Sequence, residues 1–389
     1  MRSEPNYNTI PVGQLGIIAL PGCEELANKI DNYLIRWRFQ RNSEHKDTLA
    51  FAGYEKSTYL INMDFPRFGT GEGKAALNQT VRGYDIYILC DVFNYGVTYK
   101  MYGMTVPMSP DEHFANLKRA ISAIEGKAKR VSVIMPMLYE GRQHKRSSRE
   151  SLDCAMMLQE LHNMGVENFI TFDAHDPRVM NAIPLCGFES ISPAYQMIKA
   201  AVNNVDNLKI NKDNIMIISP DEGGMSRCIY YSTVLGVELG MFYKRRDFSR
   251  IVDGRNPIIA HEFLGDNVEG KDVIIVDDMI SSGESMIEVA TKLKELKAAR
   301  IYIFSAFGLF CNGFDAFDKA FQEGIIDRVF TTNLIYGAPE LLSKDWYIRV
   351  DMSKYLSYII DTLNHDTSIS DLLDPAEKIN TLIDKKGLK

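Results

Sequence analysis

The sequence predicts an α/β protein of two domains, each a mainly parallel β-sheet flanked by helices. Short apolar runs rich in β-branched residues alternate with longer amphipathic stretches along almost the whole chain. Several of these runs are apolar at consecutive positions, which is typical of parallel strands covered by helices on both faces. At 389 residues the chain exceeds the usual size of one hydrophobic core, so two domains are expected.

The predicted strands are the short apolar runs that lie between turn signals. The clearest is Val273–Asp277, which is followed at once by small polar residues. The others, in chain order, are Leu15–Leu20, Ser57–Met63, Asp85–Cys90, Val131–Pro136, Phe169–Asp173, Ile215–Asp221, Val234–Phe242, Ile301–Phe307 and Arg328–Asn333.

The predicted helices are the stretches with apolar residues at helical spacing. In Glu150–Met164, Met157, Leu161 and Met164 stand at i, i+4 and i+7, and Gly165 is placed to end the helix. The others are Glu24–Leu34, Asp111–Ala123 and Ser285–Leu296.

The domain boundary is expected near the middle of the chain, where Ala182–Pro193 is rich in proline and glycine. We therefore expect an N-terminal domain at residues 1–184 and a C-terminal domain at 185–349. A C-terminal helix at about 350–389 is expected to pack back on the first domain. The polar and charged segment Arg36–Tyr54 is interpreted as an inserted surface excursion.

Composition and charge argue against several classes of protein. Hydrophobic residues make up 46% and charged residues 24%, which excludes a disordered or fibrous chain. A net charge of −7 argues against a general nucleic-acid or anionic-membrane binder. The six cysteines are scattered with no C-x-x-C pair, and the sequence shows neither a signal peptide nor a membrane-spanning run. We therefore expect a cytoplasmic protein with free thiols.

The strongest candidate for a ligand site follows the Val273–Asp277 strand. Asp277 and Asp278 come at its end, and an amphipathic helix begins shortly afterwards. The loop between them consists of Ser281, Ser282, Gly283, Glu284 and Ser285. A helix N-terminus with hydroxyl groups suits a phosphate, and the aspartates suit ribose hydroxyls or hydrated Mg²⁺. The alternative is an ordinary strand–turn–helix with capping serines.

Four further strand ends carry polar clusters. Tyr243–Arg250 is the densest cationic cluster, and Met135–Arg146 also runs into a basic loop. Thr171–Asp176 places His175 between carboxylates, and Ser219–Gly224 ends in paired glycines that permit close approach of a ligand. Because the carboxyl ends of parallel strands are where α/β folds bind ligands, these clusters point to a site for a phosphorylated ligand.

Taken in order, these segments resemble the motifs of the ribose-phosphate diphosphokinases, the phosphoribosyl pyrophosphate synthetases. The likeness runs from about Leu15 to about Leu373. It is carried by Arg67–Glu72, Val81–Ile88, Arg142–Gln143, Asp173–His175, Ser219–Gly224, Lys244–Arg246, Asp277–Ser285, Thr331–Asn333 and Ser368–Ser370. The resemblance implies two phosphoribosyltransferase-type domains, the first binding ATP and the second ribose 5-phosphate. It also implies Mg²⁺-dependent transfer of the diphosphoryl group of ATP to the C1 hydroxyl of ribose 5-phosphate, with release of AMP.

The resemblance also assigns roles to the matching positions. It implies ATP binding by Phe68, Glu72, Arg142 and Gln143, and Mg²⁺ binding by His175 and Asp221. It implies ribose binding by Asp277 and Asp278, and 5-phosphate binding by Ser281, Ser282, Gly283 and Ser285. Lys244 and Arg246 would neutralise charge on the transferring diphosphoryl group. The resemblance further implies self-association as a dimer or hexamer.

Several positions depart from the family pattern, and three of them bear on the proposed sites. Ser281 removes a carboxylate from the phosphate loop, Glu284 adds one, and His144 replaces an aspartate near the expected ATP site. Two alternatives therefore stay open. The first is a non-catalytic, nucleotide-binding regulatory homologue, and the second is a phosphoribosyltransferase-type enzyme that uses a different sugar phosphate.

Overall fold

The computed structural model describes residues 9–42, 51, 53–146, 148–246 and 258–389, which form two compact units. The first unit comprises Met1–Ser192, Asn333–Tyr336 and Asp351–Leu373, and the second comprises Pro193–Thr332, Gly337–Val350 and Asp374–Lys389. The chain therefore passes from the first unit to the second more than once.

The strands are β1 (Gln14–Ala19), β2 (Met63–Asp64), β3 (Ala76–Leu77), β4 (Tyr84–Leu89), β5 (Thr98–Met101), β6 (Met104–Pro107), β7 (Arg130–Ile134), β8 (Asn168–Phe172), β9 (Gly187–Ile191), β10 (Ile215–Ser219), β11 (Glu238–Arg246), β12 (Ile258–Leu264), β13 (Asp272–Ile280), β14 (Ile301–Gly308), β15 (Arg328–Thr332) and β16 (Tyr347–Val350). The helices are α1 (Glu24–Asn42), α2 (Pro110–Ile124), α3 (Asp153–Asn163), α4 (Ala194–Asn204), α5 (Met225–Leu235), α6 (Glu284–Glu295), α7 (Asp315–Gln322), α8 (Ser353–Asn364), α9 (Ser370–Leu373) and α10 (Ala376–Lys386).

The first unit is built on a parallel sheet in the order β1-β4-β7-β8-β9. Ile86, Ile88 and Val133 from this sheet are fully buried and join Leu117 of α2 and Leu161 of α3 in one core cluster. α2 begins with a capping box, in which Ser109 and Glu112 each bond the other's backbone N–H.

The second unit is built on a larger sheet in the order β12-β11-β10-β13-β14-β15-β16. All of its pairs are parallel except the edge pair β11–β12, which is antiparallel. Ile275 and Ile303 from the central strands join Val289 and Leu293 of α6 in the core. The predicted fold of two mainly parallel sheets flanked by helices is therefore confirmed.

The predicted strand Ser57–Met63 is wrong over most of its length. Tyr59 and Ile61 exchange backbone hydrogen bonds with Ile17 of β1, but the pairing is limited to the isolated bridge between Ile17 and Leu60. The predicted strand Val234–Phe242 begins later, at Glu238. Its first residues belong to α5, which ends at Gly236 with a φ of 67°.

The predicted linker Ala182–Pro193 contains β9, which pairs along its length with β8. The first and longest segment of the first unit therefore extends to Ser192, beyond the predicted boundary at Pro184. The predicted C-terminal helix at about 350–389 is also divided, because Asp351–Leu373 belongs to the first unit and Asp374–Lys389 to the second.

The interpretation of Arg36–Tyr54 as a surface excursion is wrong for its described part. α1 continues to Asn42, and Arg38 is only 1% exposed. Arg38 donates two hydrogen bonds to Asp361 of α8, of 3.0 and 2.9 Å, and Arg41 forms an ion pair with the same carboxylate. Residues 43–50 and 52 of the predicted insertion lie outside the described residues.

Among the helices that the structure describes, none has the length and apolar character needed to cross a membrane. None of the six cysteines, all of which are described, forms a disulfide.

Candidate active site

The loop after β7 forms a cavity of about 410 Å³ in the first unit. Its lining residues are Arg142, Gln143, His144, Lys145, Glu150 and Ser151. The loop begins with two turns, in which Gly141 N–H donates to Leu138 O at 3.1 Å and Gln143 N–H to Glu140 O at 2.8 Å. The lining combines the cationic side chains of Arg142 and Lys145 with amide and hydroxyl groups, which suit a polyanionic ligand, and with one carboxylate, Glu150.

His144 connects this cavity with the end of the neighbouring strand β8. Its Nε2 atom lies 3.5 Å from Asp176 Oδ2, and its ring centroid lies 5.3 Å from that of His175. Burial lowers the pKa of His144, and the nearby Asp176 carboxylate opposes this effect. Hydrogen bonds from Arg178 lower the pKa of Asp176 to about 2. His144 Nδ1 is buried and has no hydrogen-bond partner among the described residues.

Phe68 and Glu72 lie in a separate turn between β2 and β3 and are not among the residues that line the cavity. Phe68 N–H donates to Glu72 O at 2.8 Å, and Gly71 N–H donates to Phe68 O at 2.9 Å. Arg67 supports the turn, because its guanidinium donates to Gly71 O at 3.0 Å and stacks 4.8 Å from the centre of the Tyr99 ring. The Phe68 ring is 56% exposed and is available for stacking.

The acidic pair of the second unit lies inside a strand and not at its end. β13 continues to Ile280, so Asp277 pairs with Ser305 of β14. Asp278 is 3% exposed, whereas the Asp277 side chain is 22% exposed. Burial, followed by the charge of Asp278, raises the pKa of Asp277 well above its ordinary value. Arg227 of α5, with Nη1 3.7 Å from Asp277 Oδ1, opposes that shift.

The loop after β13 turns sharply at Gly283, directly before α6 begins. Gly283 has a φ of 86°, and a Cβ atom at this position would lie 2.2 Å from the Phe317 ring. Both constraints require glycine. Ser281 and Ser282 are partly exposed, and Ser285 is exposed in the first turn of α6. The hydroxyl groups of this loop therefore lie at or next to the start of a helix, an arrangement that can bind an anion.

Asp221 lies in the loop after β10. Its Oδ1 atom accepts hydrogen bonds from Gly223 N–H at 2.9 Å and Gly224 N–H at 3.3 Å. A Cβ atom at Gly224 would lie 2.9 Å from Ser219 Oγ, so a larger residue there would require Ser219 to move. Among the described residues, no group of three or more His, Cys, Asp or Glu side chains forms a metal site. A single carboxylate such as Asp221 nevertheless suits Mg²⁺, which commonly keeps its waters and uses substrate phosphates as ligands.

Lys244 and Arg246 belong to β11, whereas the sequence predicted that this strand ends at Phe242, before them. Lys244 pairs with His261 and Arg246 with Ile258 of the edge strand β12, with an irregularity between Arg245 and Arg246. The remainder of the predicted cationic segment, residues 247–250, lies outside the described residues.

Several residues that contact the predicted site residues were not identified from the sequence. Arg227 follows the paired glycines and stands on the first turn of α5, a position from which contact with the adjacent strand β13 could have been considered. Asp176 was noted only as a neighbour of His175. The contact of Asn312 with Glu284 carried no sequence signal, because Asn312 lies in the turn after β14 and Glu284 begins α6, 28 positions earlier.

Comparison with known proteins agrees with these features. The family model for the N-terminal domain of ribose phosphate pyrophosphokinase matches residues 15–165. The phosphoribosyl transferase domain matches residues 188–308, and the phosphoribosyl synthetase-associated domain matches residues 250–374.

Individual relatives and a solved structure give the same picture. The chain is 26% identical over 308 residues to the ribose-phosphate pyrophosphokinase of Vibrio parahaemolyticus, and 27% identical over 308 residues to that of Shewanella oneidensis. Each alignment covers 78% of this chain and 88% of the relative. The crystal structure of phosphoribosylpyrophosphate synthetase from Mycobacterium smegmatis superposes with a TM-score of 0.69 at 18% identity, covering 91% of this chain and 99% of that one.

Proposed function

This chain belongs to the ribose-phosphate pyrophosphokinase family, and on that basis we propose that it transfers the diphosphoryl group of Mg-ATP to the C1 hydroxyl of ribose 5-phosphate. The C1 oxygen forms a bond to the β-phosphorus of ATP, and the bond from that phosphorus to the oxygen bridging the α- and β-phosphates breaks. The hydroxyl proton is released. The products are phosphoribosyl pyrophosphate and AMP.

The cavity after β7 is the observation that carries the ATP assignment. Arg142 and Lys145 supply positive charge in a protein with a net charge of −7, and Gln143 supplies an amide. His144 lines the same cavity, and its ring lies beside that of His175 at the end of β8. With Phe68 and Glu72 as further ATP contacts, the first unit is the nucleotide-binding unit of this proposal.

The second unit binds ribose 5-phosphate in this proposal. The hydroxyls of Ser281, Ser282 and Ser285 and the backbone around Gly283 bind the 5-phosphate at the start of α6. Asp277 and Asp278 accept hydrogen bonds from the ribose hydroxyls. Arg227 supports this role, because its positive charge favours the ionised form of Asp277.

The reaction requires Mg²⁺, for which Asp221 and His175 are the proposed ligands. Asp221 contributes a carboxylate whose orientation is fixed by Gly223 and Gly224. Bound Mg²⁺ would neutralise charge on the phosphates of ATP.

Lys244 and Arg246 stabilise the charge that develops on the transferring diphosphoryl group. Their assignment rests on the family motif and on the physics of phosphoryl transfer, in which positioning and electrostatic stabilisation provide most of the catalysis. We also propose a cytoplasmic homo-oligomer, a dimer or hexamer, whose mass analytical ultracentrifugation would measure.

The altered phosphate loop gives a reason to keep two other functions in view. A non-catalytic homologue would bind ATP without producing AMP, and restoring aspartate at Ser281 with glycine at Glu284 would be expected to produce activity. An enzyme for a different sugar phosphate would show its highest kcat/KM with another pentose phosphate. A substrate panel of ribose, deoxyribose and other pentose phosphates separates these cases.

The ATP assignment is tested with Arg142→Ala. Because this substitution removes the charge-assisted hydrogen bonds from the guanidinium to the phosphates of ATP, the KM for ATP should rise about tenfold to a hundredfold. The matched control is Arg82→Ala, which removes an exposed arginine outside the cavity and should leave the KM unchanged. An unchanged KM for ATP in Arg142→Ala would contradict the assignment.

A further inference from the structure

A short turn after β14, residues 309–313, contacts carbonyl groups at the end of β13 and at the first residue of the phosphate loop. The N–H groups of Leu309 and Phe310 donate to Ile280 O at 2.9 and 3.3 Å, and Cys311 N–H donates to Ser281 O at 2.8 Å. The turn therefore lies against the carbonyl oxygens of Ile280 and Ser281, which we call the carbonyl side of the loop, and Cys311 Sγ there also lies 3.9 Å from Ser281 Oγ. A phosphate has the opposite requirement, because it is bound by N–H and hydroxyl donors.

The 309–313 turn is itself held firmly in place. Phe310 is 5% exposed and packs against Phe317 of α7, with ring centroids 5.2 Å apart. Gly313 N–H closes the turn by donating to Phe310 O at 2.9 Å. Phe317 is the same ring that excludes a side chain at Gly283. The turn and the phosphate loop thus share one packed aromatic support.

Asn312 projects from this turn to Glu284, the residue whose charge is unexpected in a phosphate loop. Asn312 Nδ2 donates a hydrogen bond of 3.3 Å to Glu284 Oε1. Glu284 is the first residue of α6 and its side chain is exposed, so another rotamer would bring the carboxylate towards a phosphate bound at the helix start. The negative charges of the Glu284 carboxylate and the phosphate would then repel each other, which weakens phosphate binding.

We propose that Asn312 is a positioning residue for the sugar phosphate, and that it acts by holding the Glu284 carboxylate on the carbonyl side of the loop. Glu284 then determines how strongly phosphate charge is tolerated at this site. The inference rests on the proposed function, since it requires that the loop binds the 5-phosphate of ribose 5-phosphate. It assigns a role to Glu284, which departs from the family pattern, and to Asn312, which lies outside the family motifs.

The test compares Asn312→Ala, Glu284→Gln and the double variant with the full-length protein. Asn312→Ala should raise both the KM and the calorimetric dissociation constant for ribose 5-phosphate by about threefold to tenfold, with kcat and the KM for ATP unchanged. Glu284→Gln should bind no more weakly than the wild type. In the double variant the effect of Asn312→Ala should disappear, because no charge remains to be positioned.

Two further measurements distinguish positioning of a charge from a structural role. The penalty of Asn312→Ala should shrink at high ionic strength, because salt screens repulsion between exposed charges. Asn312→Asp preserves shape but repels Glu284, so it should weaken ribose 5-phosphate binding at least as much as Asn312→Ala. The control is Glu295→Gln, which removes the same charge at the last residue of α6 and should change neither constant.

Failure of this inference can be told apart from failure of the proposed function. A wild type that binds and turns over ribose 5-phosphate, with Asn312→Ala unchanged or equally impaired in the Glu284→Gln background, overturns the inference alone. A wild type that neither binds ribose 5-phosphate nor forms AMP overturns both. Binding without turnover, with the variant pattern described above, supports the inference and contradicts catalysis.

Discussion

At the scale of single residues, Gly283 is the site position at which the choice of amino acid is most restricted, by both its backbone conformation and its packing. Its positive φ excludes most L-residues, and Phe317 fills the space where a Cβ atom would lie. The sequence predicted a glycine-containing phosphate loop here. It could not predict Phe317, because the ring comes from a helix beyond the next strand.

At this scale we predict that Gly283→Ala lowers the free energy of unfolding by more than the cost of placing alanine at a positive φ. Gly324→Ala is the matched control, because Gly324 has a φ of 70° and nothing within 4 Å of the added Cβ. The control should lose about 1–2 kcal/mol in the free energy of unfolding. Gly283→Ala should lose more and should also weaken ribose 5-phosphate binding, as urea unfolding and calorimetry would measure. Equal losses in the two variants would show that the Phe317 contact is unimportant.

Charged residues were harder to interpret than the glycine. The motifs predicted Arg142, Gln143 and His175 as site residues, and the loops that carry them contact each other through His144. The environment of His144 could not be predicted, because its burial and its contact with Asp176 depend on how two neighbouring loops pack.

At the scale of elements, the pairing of α1 with α8 shows where sequence patterns stop being informative. Arg38 and Arg41 made their segment look like a solvated surface, because arginine is rarely buried without a partner. Their partner, Asp361, is 323 positions from Arg38. Burial alone would raise the pKa of Asp361, but Arg38 and Arg41 hold it below its ordinary value.

Removing this carboxylate charge should destabilise the first unit severely. Asp361→Asn leaves two buried guanidinium groups without their counter-charge, which should cost roughly 3–5 kcal/mol in the free energy of unfolding. Asp345→Asn, at an exposed position of the second unit, is the control and should cost less than about 0.5 kcal/mol. Chemical denaturation provides the comparison, and a loss below about 1 kcal/mol in Asp361→Asn would contradict the role of this ion pair.

The central strands of the two sheets were predicted more accurately than the strands at the sheet edges. Central parallel strands such as β10 and β14 are largely apolar runs that a pattern reveals directly, whereas the acidic pair inside β13 made that strand appear to end at Asp277. The edge strand β9 was mistaken for a linker, because it is short and only its last residue is buried. The antiparallel edge pair β11–β12 could not be predicted from a pattern that is typical of parallel sheets.

At the scale of the whole molecule, two buried groups couple folding to pH in opposite directions. Burial lowers the pKa of His365 to about 4, so its stabilising effect is complete above its ordinary pKa of 6.5 and is lost as the pH falls towards 4. Burial raises the pKa of Asp91 to about 6, although N–H groups of Tyr336 and Phe93 oppose the shift. Its contribution is complete below its ordinary pKa of 3.8 and is lost as the pH rises through about 6.

Because these contributions partly cancel in the wild type, the prediction concerns a difference between variants. The stability advantage of the wild type over His365→Gln should shrink by about 3 kcal/mol between pH 6.5 and pH 4. Urea unfolding across this range measures the difference. The exposed His162→Gln variant is the control, and a pH-independent gap between wild type and His365→Gln would contradict the prediction.

The interleaving of the two units was not predicted from the sequence. Asn333–Tyr336 and Asp351–Leu373 complete the first unit, although they follow most of the second in the chain. The link depends on specific polar contacts, such as Tyr336 N–H donating to Asp91 at 2.6 Å. No local periodicity encodes a contact of this kind. The fold class and the family could be predicted from the sequence, because the motifs at the strand ends follow one another in a fixed order.

The most direct test of the enzymatic function is a product analysis by ³¹P NMR. Purified protein with ATP, Mg²⁺ and ribose 5-phosphate should form AMP and phosphoribosyl pyrophosphate in equal amounts, with no AMP when ribose 5-phosphate is omitted. Lys244→Ala should lower the rate by about a hundredfold or more while leaving the fold intact by circular dichroism. Formation of ADP, AMP formation that does not depend on ribose 5-phosphate, or full activity of Lys244→Ala would contradict the proposed mechanism.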